Sequence, residues 1–149
     1  MSIQPIPPGA PTVIPHLTVS DTRKAFEFYQ AAFGAEPGNI ALTPDGRVMH
    51  AELRIGSSVI YVNDPFGPPV APANIVLHVW SADVNALWDR AVAAGAEVVM
   101  PLSDQFWGDR YGHLKDPYGY TWSLAQHVED VTPEEMAKRS AAMFSQMKG

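Results

Sequence analysis

One pattern of residues occurs twice in this chain, at a spacing of 61 to 63 positions. Each copy begins with a histidine, His16 or His78, followed by an aspartate five residues later and by a helical pattern that ends at Gly-Ala-Glu. Each copy then places a histidine six residues before a glycine, at His50 and at His113. Two copies are too few for a solenoid, whose short repeats need neighbours on both sides. We therefore expect a duplicated module within one domain and a functional cleft between its halves, and we expect His16 to superimpose on His78 and His50 on His113.

Composition limits the classes of protein to consider. The chain has 149 residues and a formal charge of −6, which suits one globular domain. Ten basic against sixteen acidic residues, with no basic run, argue against a nucleic-acid partner. The absence of cysteine excludes disulfides, thiolate nucleophiles and sulfur-ligated metals. Because there is neither a leader-peptide pattern nor a run of 18 apolar residues, we expect a cytoplasmic protein with no membrane partner.

Proline, glycine and hydrophobic periodicity divide the chain. The expected organisation is an extended arm at 1–11, a single domain at 12–127 and a helical tail at 128–149. Within the domain, module one (12–64) and module two (74–127) flank a proline-rich linker at 65–73. Each module is predicted to follow the order β-α-β-β-β. The predicted strands are 12–19, 39–43, 47–55 and 58–63 with a helix at 22–33, and then 74–80, 97–101, 104–115 and 120–126 with a helix at 83–94.

The tail carries its own helix signal. Thr132-Pro133-Glu134-Glu135 is a capping box with proline at the first helical position. A partial apolar stripe follows, formed by Met136, Met143, Phe144 and Met147. The stripe indicates packing on the domain or on a twin subunit, and a methionine-rich lid over a ligand is the alternative.

Four segments carry a resemblance to a known family. They are Phe28-Tyr29-x-x-Ala32-Phe33-Gly34-Ala35, Met49-His50-Ala51-Glu52-Leu53, Gly108-Asp109-Arg110-Tyr111-Gly112 and Asp116-Pro117-Tyr118-Gly119. With the paired modules, they resemble the vicinal oxygen chelate superfamily, in its glyoxalase/bleomycin-resistance branch, over residues 12–126. The resemblance implies an α+β fold in which each module forms half of a barrel-like cleft, and it implies a homodimer. The superfamily includes isomerases, ring-cleaving dioxygenases, antibiotic-modifying transferases and non-catalytic drug-binding proteins, so the fold does not select the chemistry.

The resemblance also implies where a metal would bind. The family's ligands come from the first and fourth strands of each module and are usually His or Gln and Glu. The matching positions here are Ile14, Ile60, Val76 and Ser123. Three of these side chains offer no donor atom to a divalent cation. We therefore expect no metal at the standard site and no other cofactor. A displaced divalent metal, with ligands from His16, His78 and Glu52, is the alternative.

The histidines suggest a second kind of chemistry. His16 and His78 lie two residues beyond Ile14 and Val76, so strand alternation keeps them on the same face. His50 and Glu52 share a face of their strand and are the candidate catalytic pair for proton transfer. For each histidine the alternative is a structural hydrogen bond to a neighbouring carbonyl.

The segment 105–112 is the second candidate region. Trp107 and Tyr111 present flat apolar surface beside flexible glycines. Arg110 either grips an anionic group of a ligand or pairs with Asp109 or Asp116 to pin the loop. Trp107 is the better candidate, because module one has no aromatic residue at the matching position.

These observations favour a glyoxalase/bleomycin-resistance-like protein that binds a small, partly aromatic organic molecule in the inter-module cleft without a metal. The candidate ligand-binding residues are Ile14, His16, Ile60, Tyr61, Val76, His78, Trp107, Arg110, Tyr111 and Ser123. The alternatives are a metal-dependent isomerase or lyase of the glyoxalase type and a non-catalytic dimeric scaffold. The sequence leaves open whether any reaction is catalysed and whether modules pair within one chain or are exchanged between subunits.

Overall fold

The computed structural model describes residues 3–68 and 75–147. Residues 69–73 of the expected linker and the expected strand start at Asn74 lie outside this range. The chain divides into two compact units, one from Met1–Gln30 and Gly34–Pro69 and one from Ala31–Phe33 and Val70–Gly149. Each unit contains one four-stranded mixed sheet. Within the described residues no helix is both long enough and apolar enough to span a membrane.

The first sheet and its helix follow the predicted order. The elements are β1 (His16–Thr18), α1 (Thr22–Phe33), β2 (Glu36–Leu42), β3 (Val48–Ile55) and β4 (Ser58–Asn63). The sheet order is β1-β4-β3-β2, with β1 parallel to β4 and the other pairs antiparallel. The predicted β-α-β-β-β topology is confirmed for this half of the chain.

The second sheet repeats that topology and is followed by the tail helix. The elements are β5 (Val76–Trp80), α2 (Val84–Ala93), β6 (Glu97–Asp104), β7 (Asp109–Lys115), β8 (Thr121–His127) and α3 (Pro133–Met147). The sheet order is β5-β8-β7-β6, with β5 parallel to β8. Thr132 caps α3 by accepting a hydrogen bond from the Glu135 amide at 3.2 Å, which is one half of the predicted capping box. The Glu135 carboxylate pairs with Arg139 instead of returning to the Thr132 amide.

Local signals set the helix ends. Asp21 accepts a hydrogen bond from the Lys24 amide at the start of α1, and Gly34 ends the helix in the left-handed conformation at φ 67°. At the start of α2, Asp83 accepts one from the Ala86 amide. These ends were predicted because a cap and a stop depend on only a few neighbouring residues.

A long-range contact fixes each helix start to the end of its sheet. The Thr22 amide donates to the Asp64 carboxylate at 2.9 Å, and the Val84 amide donates to the Gln126 side-chain oxygen at 3.0 Å. Both donors and both acceptors are 62 residues apart in the sequence. The duplication therefore preserved this contact with a helix N-terminal amide that has no partner within its helix.

Two predicted strands differ from the structure. The first strand was expected at 12–19 but is only three residues long, because Pro15 has no backbone N–H to continue the pairing before His16. The expected strand 104–115 is interrupted by a turn at 105–108, where Gly108 has φ 100°. Strand β6 therefore ends at Asp104 and β7 begins at Asp109.

The core of each unit lies on one face of its sheet. In the first unit the buried apolar side chains include Leu17, Tyr29, Val48, Leu53, Ile60 and Val62. In the second they include Val84, Ala91, Leu114, Trp122 and Leu124. Gly112 admits the Trp88 ring from α2, since an added Cβ would lie 2.7 Å from that ring. Because side chains alternate along a strand, the residues between these core positions belong to the opposite face, where the candidate histidines and Ser123 lie.

Candidate functional site

One face of the second sheet carries a row of polar and aromatic side chains. Directly opposed residues on neighbouring strands share a face. Ser123 of β8 pairs with both His78 of β5 and His113 of β7, so these three side chains form the centre of the row. We call this surface the imidazole face. It comprises Val76, His78, Trp80, Tyr111, His113, Ser123 and Ala125.

His78 and Ser123 form a close hydrogen bond, with 2.6 Å between Nδ1 and Oγ. Ser123 is fully buried, with 1% of its surface exposed. Burial lowers the pKa of His78, and the charge of nearby His113 adds to this effect, while Asp109 opposes it. A lowered pKa favours the neutral imidazole at physiological pH, which can both accept and donate a hydrogen bond.

Tyr111 and His113 form a second hydrogen-bonded pair, with 2.6 Å between the phenol oxygen and Nε2. The Tyr111 ring also stacks on His78, with centroids 5.9 Å apart and an interplanar angle of 25°. Trp80 packs edge-on against His78 at 4.7 Å and is 61% exposed. The imidazole face therefore combines exposed aromatic surface with a few hydrogen-bonding atoms.

Trp107 lies beside this row, in the turn before β7. Its ring is 5.5 Å from that of Tyr111, and its Nε1 donates to the Asp109 carboxylate at 2.9 Å. The second oxygen of Asp109 contacts Nδ1 of His127 at 2.8 Å. Asp109 is only 8% exposed, so its two contacts fix the indole next to Tyr111.

Arg110 is not part of the imidazole face. It lies between Asp109 and Tyr111 on β7, so its side chain points to the opposite side of the sheet. There Nε donates to Asp104 at 2.8 Å, which lies directly opposite on β6. The expected pairing with Asp109 or Asp116 is therefore wrong, and Arg110 is not placed to grip a ligand bound beside Tyr111.

The first sheet has a corresponding face with different contacts. The rings of His16, His50 and Tyr61 meet edge to face, with centroids 4.5 to 6.2 Å apart and interplanar angles of 74° to 84°. Glu52 lies opposite Tyr61 on this face. Gly38 makes room for the Glu52 carboxylate, because an added Cβ would lie 3.1 Å from it. The structure thus brings His50 and Glu52 to one face, as predicted, and their catalytic role stays a prediction.

Strand pairing corrects the fourth-strand position of module one. Ser123 lies opposite the first-strand His78, and the residue opposite His16 is Tyr61. Ile60 points to the other face of β4 and is 5% exposed. Tyr61 rather than Ile60 is therefore the counterpart of Ser123, and Ile60 is a core residue.

The first-strand positions also shift. Ile14 lies before β1, and Val76 pairs with Thr121, two residues before Ser123 on β8. The side chains next to the fourth-strand positions are those of His16 and His78. His16 and His78 therefore occupy the first-strand positions that face Tyr61 and Ser123. Ile14 and Val76, which were assigned to those positions, lie two residues earlier in the chain.

The third strand shows a similar shift. Tyr61 of module one lies opposite Glu52 on β3, and Ser123 of module two lies opposite His113 on β7. The expected equivalence of His50 with His113 is therefore wrong: the counterpart of His113 is Glu52. His50 lies two residues earlier on β3 and on the same face of that sheet as Glu52. The reason is hairpin length: β3 and β4 are joined by two residues, 56–57, but β7 and β8 by five, 116–120.

Comparison with known proteins identifies the family. Residues 12–124 match the family described as the Glyoxalase/Bleomycin resistance protein/Dioxygenase superfamily. The chain belongs to this superfamily. The uncharacterized protein Rv0887c of Mycobacterium tuberculosis is 40% identical over 93% of this chain and 86% of its own length. The uncharacterized protein Mb0911c of Mycobacterium bovis is also 40% identical, over 93% of this chain and 96% of its own length.

Solved structures of the superfamily share the fold. TioX from Micromonospora sp. ML1 is 27% identical, with a TM-score of 0.65 over 80% of this chain and 100% of its own. FosX, a fosfomycin resistance protein from Listeria monocytogenes, is 21% identical, with a TM-score of 0.62 over 85% of this chain and 98% of its own. The predicted α+β fold with a C-terminal helix is therefore confirmed.

The donor atoms present do not fit the superfamily's metal site fully. The corrected register gives an imidazole at each first-strand position, His16 and His78, but the fourth-strand positions supply the hydroxyls of Tyr61 and Ser123 instead of a carboxylate. Across residues 3–68 and 75–147, no three His, Asp or Glu side chains converge to hold a metal ion. A hydroxyl is a weak ligand for the divalent cations that carboxylates bind.

Sequence reasoning missed three residues of this region: Trp80, His113 and Asp109. Trp80 and His113 were detectable, because each lies two residues from a chosen candidate on the same strand and so shares its face. Asp109 was considered only as a partner for Arg110. Its true contacts depend on the turn at 105–108, which the sequence did not reveal.

Proposed function

We propose that the protein binds a small, partly aromatic organic molecule on the imidazole face of the second sheet, without a metal ion. The observation that supports this proposal is the row of His78, Ser123, His113 and Tyr111, flanked by the exposed indole of Trp80 and by Trp107. Sites for small molecules combine apolar and aromatic walls with a few placed polar groups.

The rings would supply most of the contact area. Trp80, Tyr111 and Trp107 offer faces and edges on which a planar molecule can stack or pack edge-on. The imidazoles would supply orientation. Among the described residues, Nε2 of His78 and Nδ1 of His113 have no hydrogen-bond partner, so both remain available to a polar group on the ligand.

The absence of a metal is part of the proposal. It is supported by the hydroxyl of Ser123 at the position where metal-binding relatives have Glu, and by the use of His78 Nδ1 in the bond to that hydroxyl. The alternative function, a metal-dependent isomerase or lyase, is favoured by one observation: both first-strand positions carry histidine.

Calorimetric titration with 1-naphthol tests the binding proposal, since this probe has a planar ring and one polar group. We expect saturable binding to the wild type and weaker binding to Trp80→Ala, which removes an exposed wall of the imidazole face. Phe66→Ala is the matched control, because Phe66 is also exposed, at 49%, but lies in the first unit. Equal affinities for the two variants, or no binding to the wild type, would contradict the proposal.

Metal content separates the two candidate functions. Protein purified without chelator should contain far less than one equivalent of Zn, Ni, Mn or Fe. Adding Zn or Ni should raise the melting temperature little, because only a ligand that binds the native state stabilises it. A near-stoichiometric metal content, or a large saturable rise at micromolar metal, would favour the metal-dependent enzyme instead.

A further inference from the structure

We infer that Arg139 is a positioning residue, through which the C-terminal helix α3 holds the turn that carries Trp107. The inference concerns the geometry of residues 105–108 and their anchors in the second unit. Its consequence for ligand affinity rests on the proposed function, but its consequence for the position of Trp107 does not.

Arg139 joins three segments of the chain. Its Nη1 donates to the backbone carbonyl of Phe106 in the turn at 3.2 Å. Its Nη1 and Nη2 donate to the two oxygens of Glu129 at 3.1 and 2.7 Å, a bidentate arrangement. Its Nε donates to Glu135, one helical turn earlier, at 3.0 Å. One guanidinium thus links the turn, the segment after β8 and helix α3.

The segment after β8 also contacts the turn through its backbone. The Gly108 carbonyl accepts hydrogen bonds from the amides of Val128 and Glu129, at 2.9 and 3.0 Å. An added Cβ at Gly108 would lie 2.1 Å from the Glu129 carbonyl oxygen, so only glycine permits this approach. The segment therefore packs directly on the turn.

The same segment reaches the Trp107 side chain. His127 contacts Asp109 at 2.8 Å, and Asp109 accepts the hydrogen bond of the Trp107 indole. His127 also contacts Asp130 at 2.7 Å. The indole is consequently held from one side by Asp109 and His127, while Arg139 fixes the backbone of the residue before it.

The energetics explain why the effect should be local. Isolated surface ion pairs contribute little to overall stability, and Arg139 is about one-third exposed, at 32%. The contribution of Arg139 is local: its rigid guanidinium orders the turn at 105–108, and loops have the lowest local stability of a fold. Loss of Arg139 should therefore move Trp107 without unfolding the sheet.

The test labels the four tryptophans with 5-fluorotryptophan and records ¹⁹F NMR spectra, with the Trp107 signal assigned by Trp107→Phe. In Arg139→Gln we expect the Trp107 signal to shift and broaden while the Trp88 and Trp122 signals stay unchanged. Lys138→Gln is the matched control, since it removes a neighbouring exposed charge on the same helix. An unchanged Trp107 signal in Arg139→Gln would overturn the inference.

Two further measurements keep the test decisive. If circular dichroism shows that Arg139→Gln has lost α3, Glu129→Gln removes the partner carboxylate and leaves the helix sequence intact, and the same shift is expected. For 1-naphthol, Arg139→Gln should weaken binding by about two- to fivefold relative to Lys138→Gln. If the wild type does not bind 1-naphthol, the proposed function fails, while the ¹⁹F signals still decide the role of Arg139.

Discussion

The two modules share a topology but present different surfaces. The first-strand histidine is the same in both, and it lies next to Tyr61 in module one and Ser123 in module two. In module one the rings of this face meet only edge to face, whereas in module two the imidazoles make hydrogen bonds to Ser123 and Tyr111. The duplication therefore preserved the backbone and changed the side chains of one face.

The hairpins differ in the same way. Module one closes β3 and β4 with the short turn at Gly56, while module two uses five residues that begin with Asp116. The Asp116 carboxylate is 4% exposed and accepts hydrogen bonds from the amides of Tyr118 and Tyr120 and from the indole of Trp122, each at 2.9 Å. The module-two hairpin therefore depends on a buried acceptor side chain, which the two-residue turn of module one does not contain.

The largest expected effect tests this difference between the two modules. Asp116→Ala should lower the free energy of unfolding by about 2–4 kcal/mol, because it removes the acceptor of three hydrogen bonds, one of them from the buried indole of Trp122. Urea denaturation measures the change. The control is Asp45→Ala, an exposed turn carboxylate between β2 and β3 of module one, which should have little effect because solvent replaces its contacts. Equal losses in the two variants would show that the buried carboxylate of Asp116 contributes no more to stability than an exposed turn carboxylate.

The second expected effect concerns binding. Trp107→Ala should weaken 1-naphthol binding by about 1–3 kcal/mol, because a partly exposed aromatic ring contributes contact area to recognition. The melting temperature should change by only a few degrees. Calorimetry and thermal denaturation measure the two quantities. A variant that unfolds, with unchanged affinity among folded molecules, would make Trp107 an ordinary structural residue and favour the scaffold hypothesis.

The parts of the structure that depend on neighbouring residues were predictable. Asp21 and Gly34 set the ends of α1 as expected, because capping involves only one turn of helix. Strand register was not predictable to the residue, since Gly56 and Gly119 align in sequence but occupy different places in hairpins of different length. Because of that difference, the alignment on the two glycines assigned Ile60 to the candidate face, whereas the structure places Tyr61 there.

Side-chain partners on neighbouring strands also could not be predicted from the sequence. Arg110 pairs with Asp104 because β6 and β7 place them directly opposite, which follows only from the turn at 105–108. The site residues themselves were found where they followed strand alternation, as for His78 and Tyr111. Asp109 is only two residues from Trp107, but the other side chains that hold this region, His127 and Arg139, are distant in the sequence, which does not mark them as neighbours.

The smallest expected effect is a pH dependence that arises from one histidine of module two. Hydrogen bonds, first to Asp109 and then to Asp130, raise the pKa of His127 above its ordinary value. Module one has Pro65 at the position 62 residues earlier and no ionisable group there. A raised folded-state pKa means that protonated His127 stabilises the folded protein. This contribution is complete below the unfolded-state pKa of about 6.5 and is lost as the pH rises through the higher folded-state value.

Urea denaturation of the wild type and His127→Gln, at a series of values from about pH 5.5 to about pH 8.5, measures this contribution. The wild type should be the more stable at the acidic end, and the difference should narrow as the pH rises. The effect is the smallest of the three because the His127 side chain is half exposed, at 53%, and water screens its charge. Parallel stability curves would show that His127 does not link its protonation to folding. The difference between His127 and Pro65 would then have no effect on the stability of module two.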